Sequence, residues 1–271
     1  MLKGRVSWWP ILVVVLTCAC GREPSEPERV APAAALDCTT VEVDGISPFV
    51  RDAFQRDLAI DIPKRVTEEL NATPELICAD LVSSRHGELS VIAYAAAHRP
   101  DAELIFPLLI ERGAQARDAL PVAAHLGKSR IVDWLLARGV DPNHGDALVL
   151  AAEAREVRMV MTLLAAGAEP SRAAAPGPWL GHTEQTALHQ AARHGIPELL
   201  TALLEAGADV DALDALERPP LSEAIEANQL QAIRLLEHYG ASAFRLPFDD
   251  RERLSTIAKR HRLQRFIDQL N

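Results

Sequence analysis

The sequence predicts an all-α fold: a solenoid of about five short helical repeats closed by helical caps. Three observations carry that expectation. First, the chain is similar to itself: a shift of 68 residues lays Leu120 on Leu188, Ala123 and Ala124 on Ala191 and Ala192, Gly127 on Gly195, and Gly139 on Gly207. Second, Leu188, Ala191 and Ala192 fall at i, i+3 and i+4, which puts them on one face of a short helix. Third, glycines recur where each helix has to stop, and glycine accepts the left-handed conformation of a helix C-terminus. A single unit of this kind cannot bury its own apolar face, whereas stacked units can.

The chain begins with a basic head, Lys3 and Arg5, followed by the apolar run Val6–Leu16. A basic head with about 7–15 apolar residues reads as a secretory signal. The run is shorter than the roughly 20 apolar residues of a permanent membrane helix. Its end, Leu16-Thr17-Cys18-Ala19-Cys20-Gly21, resembles the lipobox of bacterial lipoproteins. That resemblance implies cleavage after residue 19 and lipidation of Cys20, with small Ala19 before the cut. Cys18 fits less well because Thr17 precedes it. The resemblance also implies a destination at the outer membrane, facing the periplasm, because the family's inner-membrane retention signal is Asp where Gly21 stands. An ordinary cleaved signal with incidental cysteines is the alternative. Two acyl chains anchor a protein stably where one does not.

Residues 20–36 then form the lipidated amino terminus and a tether rich in Pro, Ala and Glu, with Pro24, Pro27 and Pro32 favouring an extended chain. Residues 37–87 have helical spacing in SPFVRDAFQRDLAI and IPKRVTEELNATPELICADLVSS and are expected to be an amino-terminal helical cap. Cys38 and Cys78 remain after the acylated cysteine. In an oxidising compartment they have one intramolecular pairing open to them, and two independent buried thiols are the alternative.

Repeats are expected over 88–250, at 88–118, 119–146, 147–182, 183–218 and 219–250, with a more basic closing helix pair over 251–271. The fourth is the clearest: TALHQAARHGIPELLTALLEAGADVDA, Thr186 to Ala212. It resembles the ankyrin repeat, whose opening Thr-Pro-Leu-His is matched by Thr186-Ala187-Leu188-His189. The other repeats keep the paired small residues or the Leu-Leu-x-x-Gly part and lose the tetrapeptide. The 68-residue shift is about two periods of that roughly 33-residue unit.

Motifs that elsewhere carry chemistry have structural explanations here. Lys128 and Ser129 end a stretch like a phosphate loop, but Val122 stands where that loop needs glycine, and Gly127 is a turn between repeat helices. His182, His189 and His194 have no cysteine or carboxylate at a recognised ligand spacing, and the ankyrin resemblance gives His189 a turn-bonding role. Glu68 and Glu69 point in different directions on a helix, while Glu153 and Glu156 read as solvated charge. With no constellation of acid, base and nucleophile, the expectation is a protein that is not an enzyme and uses neither cofactor nor metal.

Charge narrows the partner. The chain has 28 basic and 38 acidic residues; losing Lys3 and Arg5 with the leader leaves 26 against 38, a net charge of −12. An acidic body disfavours nucleic acid and anionic lipid surfaces and favours a basic protein partner. The expected function is therefore a membrane-tethered binding module, in a narrower form an immunity or inhibitor protein. A scaffold for periplasmic or stress-response enzymes is the alternative. Candidate contact residues gather around the connection between the third and fourth repeats. The step from Leu148 to Leu188 is 40 residues, against 28 from Leu120 to Leu148, and the excess includes Trp179 and Leu180, with Trp179 either an anchor for the partner or folded back onto its own repeats. Such insertions fall outside a repeat core, often on its binding side. Gln190 and Arg193 of the adjoining helix, with Asp211, Leu213, Asp214 and Leu216 of the next finger, complete the predicted surface.

Overall fold

Every repeat begins with a helix whose small residues let its neighbours approach, and this sets the architecture. The computed structural model describes residues 46–60, 63–83, 87–175 and 184–270. All of them fall within one compact unit, Ala34–Asn271. Cys20, Cys38, Trp179 and Leu180 lie outside the described residues.

Helices α1 (Pro48–Ile60) and α2 (Pro63–Ala72) lead into a 3-10 turn, Pro74–Cys78, and a hairpin of β1 (Leu81–Ser83) and β2 (Gly87–Leu89). Five helix pairs follow: α3 (Val91–His98) with α4 (Phe106–Glu111), α5 (Ala119–His125) with α6 (Ser129–Leu136), and α7 (Ala147–Glu153) with α8 (Val157–Ala165). Then come α9 (Ala187–His194) with α10 (Pro197–Glu205) and α11 (Pro220–Glu226) with α12 (Leu230–Tyr239). A last pair, α13 (Phe248–His261) and α14 (Gln264–Leu270), closes the stack. Among the described residues no helix is long and apolar enough to cross a membrane.

The first helices of the pairs form a continuous inner row: α3 packs on α5, α5 on α7, α7 on α9 and α9 on α11. Ala95, Ala96, Ala123, Ala124, Ala151, Ala152, Ala191 and Ala192 line these contacts and are fully buried. Any larger side chain there would force neighbouring helices apart. The second helices form an outer row in which α10 packs on both α8 and α12.

Two details depart from the simplest reading of the sequence. The amino-terminal cap is not purely helical. Its two-stranded antiparallel hairpin places Leu81 opposite Leu89, both buried, while Glu88 is exposed. An exposed Glu88 beside a buried Leu89 suits a strand, whose successive side chains point to opposite faces. The inner helices also do not all stop at glycine. Gly127 and Gly195 take the left-handed conformation (φ 65° and 66°), but so do Arg155 (φ 64°) and Asn228 (φ 54°). At the end of α3 the chain instead leaves in an extended conformation through Arg99. The carbonyls of Ala96, Ala97 and Arg99 there all accept from the Lys128 ammonium of the next repeat. The supposed end of a phosphate loop is thus a helix cap, and burial lowers the Lys128 pKa.

Candidate functional site: the fourth finger and its polar frame

The chain between paired helices of successive repeats forms fingers, and these are tied in series. The amide of Glu169 donates to Asn143 Oδ1 (2.8 Å), that of Asp209 to Ser171 Oγ (2.8 Å), and that of Ser242 to Asp211 Oδ1 (2.9 Å). Asn143, Ser171 and Asp211 are spaced like Leu120, Leu148 and Leu188, so one equivalent position in the second, third and fourth repeats fastens the next finger.

The fourth finger, between α10 and α11, is also fixed within itself. Asp214 Oδ1 accepts from the amides of Leu216 and Arg218 (both 2.9 Å), and the Asp214 amide donates to the Arg218 carbonyl (3.0 Å). Glu217 takes the left-handed conformation this tight loop demands (φ 58°). Beneath it, Thr186 caps α9. The Thr186 amide donates to His189 Nδ1 (3.2 Å), and His189 Nε2 lies 3.0 Å from the Arg218 carbonyl. Since Nδ1 accepts, the ring proton sits on Nε2 and is donated to Arg218. Burial lowers the His189 pKa, which keeps the ring in that neutral form.

A carboxylate at the centre draws the frame together. Glu223, 3% exposed, accepts from Gln185 (2.7 Å), Arg193 (2.8 Å) and Arg218 (2.9 Å). Gln185 Oε1 in turn accepts from Gln190 (2.9 Å) and Arg193 (2.8 Å). Arg218 spans Glu223, Asp214 and Glu226. Burial works against its charge, but these three carboxylates hold its pKa above the ordinary arginine value. Hydrogen bonds to charged groups are the stronger kind, and this frame contains several.

These placements sort the predicted contact residues. Leu213 and Leu216 stand out from the finger, 42% and 66% exposed. The Arg193 side chain, on α9, is half-exposed. Gln190 and Asp214 are corrected: at 2% and 6% exposed they are internal members of the frame, with no open face for a partner. Asp211 is half-buried and its carboxylate holds the fifth finger. The ends of the inserted connection meet at the base of the fourth repeat, where Ala173 bridges Thr186 and the Ala174 amide donates to the Gln185 carbonyl (2.9 Å). Sequence reasoning missed Gln185, Arg218 and Glu223. A signal for them existed: two residues beyond the leading apolar position of each inner helix stand Tyr94, Val122, Leu150, Gln190 and Glu223. That column is apolar in three repeats and polar in the last two.

A second feature lies on the outer row. Val157, Met161 and Leu164 of α8 and Pro197, Thr201 and Ala202 of α10 line an open, mostly apolar groove of about 650 Å³.

Comparison with known proteins agrees with this geometry. Residues 174–245 match the family model of ankyrin repeats (three copies). A 58-residue stretch is 47% identical to B-cell lymphoma 3 protein homolog of Mus musculus; it takes in 21% of this chain and 13% of that relative's length. The molecule is a mostly helical repeat solenoid whose residues 174–245 match ankyrin repeats, and such repeats mark a protein–protein interaction module.

Proposed function

We propose that this protein is a lipid-anchored, non-enzymatic binding module of the bacterial envelope that captures a basic protein through its fourth finger. The observation that carries the reading is the pairing of exposure with rigidity. Leu213 and Leu216 are open to solvent on a loop whose backbone is fixed by Asp214 and Arg218. An apolar contact that is already ordered loses little entropy on binding. Trp179 and Leu180 extend this surface in the proposal, since the ends of their connection are joined at the base of the same repeat. The acidic body supports a basic partner, and an immunity or inhibitor role fits a protein that sequesters another.

The anchor in this proposal is the lipid on Cys20, following the lipobox-like end of the leader. A Cys38–Cys78 bridge would tie the tether's end to the cap. It is supported by Cys78, which is disulfide-bonded. The chain has four cysteines, and loss of the leader with acylation of Cys20 leaves Cys38 as the pairing.

The test is photo-crosslinking in the native envelope from the exposed position 215, in the wild type and in Leu213→Asp/Leu216→Asp. One crosslinked protein that disappears in the double variant, at unchanged melting temperature, is the expected result. Equal crosslinking in both would remove the finger from the account.

A further inference from the structure

The groove between α12 and the α13–α14 turn concentrates positive charge in a chain whose net charge is −10. Arg234 and His238 come from one face of α12; His261, Arg262 and Arg265 face them from the end of α13 and the start of α14. Together with Glu237 they line a polar groove of about 550 Å³, a size typical of small-molecule sites.

Helix ends explain part of this. The carbonyl end of a helix favours cations, and Arg265 serves that purpose by donating to the Glu237 carbonyl (3.3 Å) at the end of α12, with its guanidinium packed over Gly240. The single acid is also engaged, because Glu237 Oε1 accepts from the Phe266 amide at the start of α14 (3.4 Å). Arg234 and Arg262 are left over from these pairings. Both are exposed, and neither makes an ion pair with a carboxylate among the described residues. Arg262 moreover occupies the left-handed region (φ 56°) at the end of α13, a conformation unusual for a residue other than glycine. Like charges brought together in this way repel one another unless an anion sits between them. Guanidinium forks match phosphate oxygens in pairs, and the groove has room for more than one phosphate.

We propose that this groove binds the phosphate groups of a small, multiply phosphorylated anion. The site is separate from the fourth finger and does not depend on the function proposed for it.

Calorimetric titration of the full-length protein with tripolyphosphate, at about 150 mM salt so that diffuse surface attraction is screened, tests the assignment. The expected result is saturable one-to-one binding, weakened at least about tenfold by Arg234→Gln and by Arg262→Gln, because each removes a charge-assisted pair of hydrogen bonds. Both side chains are exposed, so the melting temperature should not move. Arg158→Gln, on α8, should leave binding unchanged. Vesicles of phosphatidylglycerol form the second arm. If they compete with tripolyphosphate and need the same two arginines, the groove recognises a lipid surface and the small-anion proposal is overturned; if they do not compete, the ligand is soluble. Absence of saturable tripolyphosphate binding, or an equal loss in Arg158→Gln, overturns the proposal.

Discussion

The two halves of the stack use one helix geometry and opposite chemistry to hold it. In the first three repeats the column behind the leading apolar position is Tyr94, Val122 and Leu150, all buried, with Tyr94 and Val122 part of the apolar core. In the last two it is Gln190 and Glu223, equally buried but woven into a frame with Gln185, Arg193, Arg218 and Asp214. Apolar packing is non-directional and leaves the fingers of the first half to be set mainly by their series ties. A buried polar frame is directional, because its donors and acceptors must meet in register, and here Arg218 Nε alone of the Arg218 nitrogens is buried without a partner. The frame therefore specifies a single path for the finger above it. The difference teaches where this molecule places its rigidity: beneath the finger that exposes two leucines.

Breaking the frame at its centre should have the largest effect. Glu223→Ala removes the acceptor shared by Gln185, Arg193 and Arg218, so that Arg218 keeps only Asp214 and Glu226, and Arg193 loses its carboxylate partner. A loss of about 3 kcal/mol is expected from urea denaturation at neutral pH. A loss under about 1 kcal/mol would mean the frame is ornamental to stability.

Acid should strain the same half more gently. Burial lowers the His189 pKa below its ordinary 6.5, so the unfolded chain takes up this proton before the folded one does. The contribution is complete above about pH 6.5 and is lost as pH falls from there toward the folded-state value. His194 is lowered in the same sense, by burial and then by Arg155. Glu69 and Asp118, both raised chiefly by burial, act with the opposite sign and nearer the carboxylate range. Melting temperatures of wild type and His189→Asn followed from pH 7.5 to 5.5 should converge; parallel curves would assign the acid sensitivity to other groups.

The smallest change should come from making the second half resemble the first. Gln190→Leu removes one donor to Gln185 Oε1, but Arg193 still donates to that oxygen. Stability should move by less than about 1 kcal/mol, since a lost neutral hydrogen bond is offset by apolar burial. A larger fall would show that Gln190 holds the frame as firmly as Glu223 does.

The inner row was legible in the sequence because its requirement is strict. Helices this close need Ala191-Ala192 and its equivalents, and their spacing survives in every repeat except for Ile225 in the fifth. The turn-bonding role of His189 came from the resemblance of Thr186-Ala187-Leu188-His189 to the ankyrin opening, and its bonds to Thr186 and to the Arg218 carbonyl agree with it. What escaped was chemistry spread over long separations. Glu223 lies 38 residues from Gln185 and 30 from Arg193, so no local spacing announces the contact. Gln190 and Asp214 looked like surface residues because they are polar, and only their partners explain their burial. Lys128 escaped in a different way. Its sequence context resembles a phosphate loop, whereas its work is to end α3, where Arg99 stands in place of the usual glycine.

Amide hydrogen exchange, resolved by NMR residue by residue, measures the rigidity of the fourth finger most directly. The amides of Asp214, Leu216 and Arg218 all donate within the loop or to the Asp214 carboxylate. The account predicts that they are protected at least about a hundredfold over free-chain rates, with Ala215 between them far less so, and that Glu223→Ala abolishes the protection. Free-chain exchange at Leu216 and Arg218 in the wild-type protein would contradict a preformed finger.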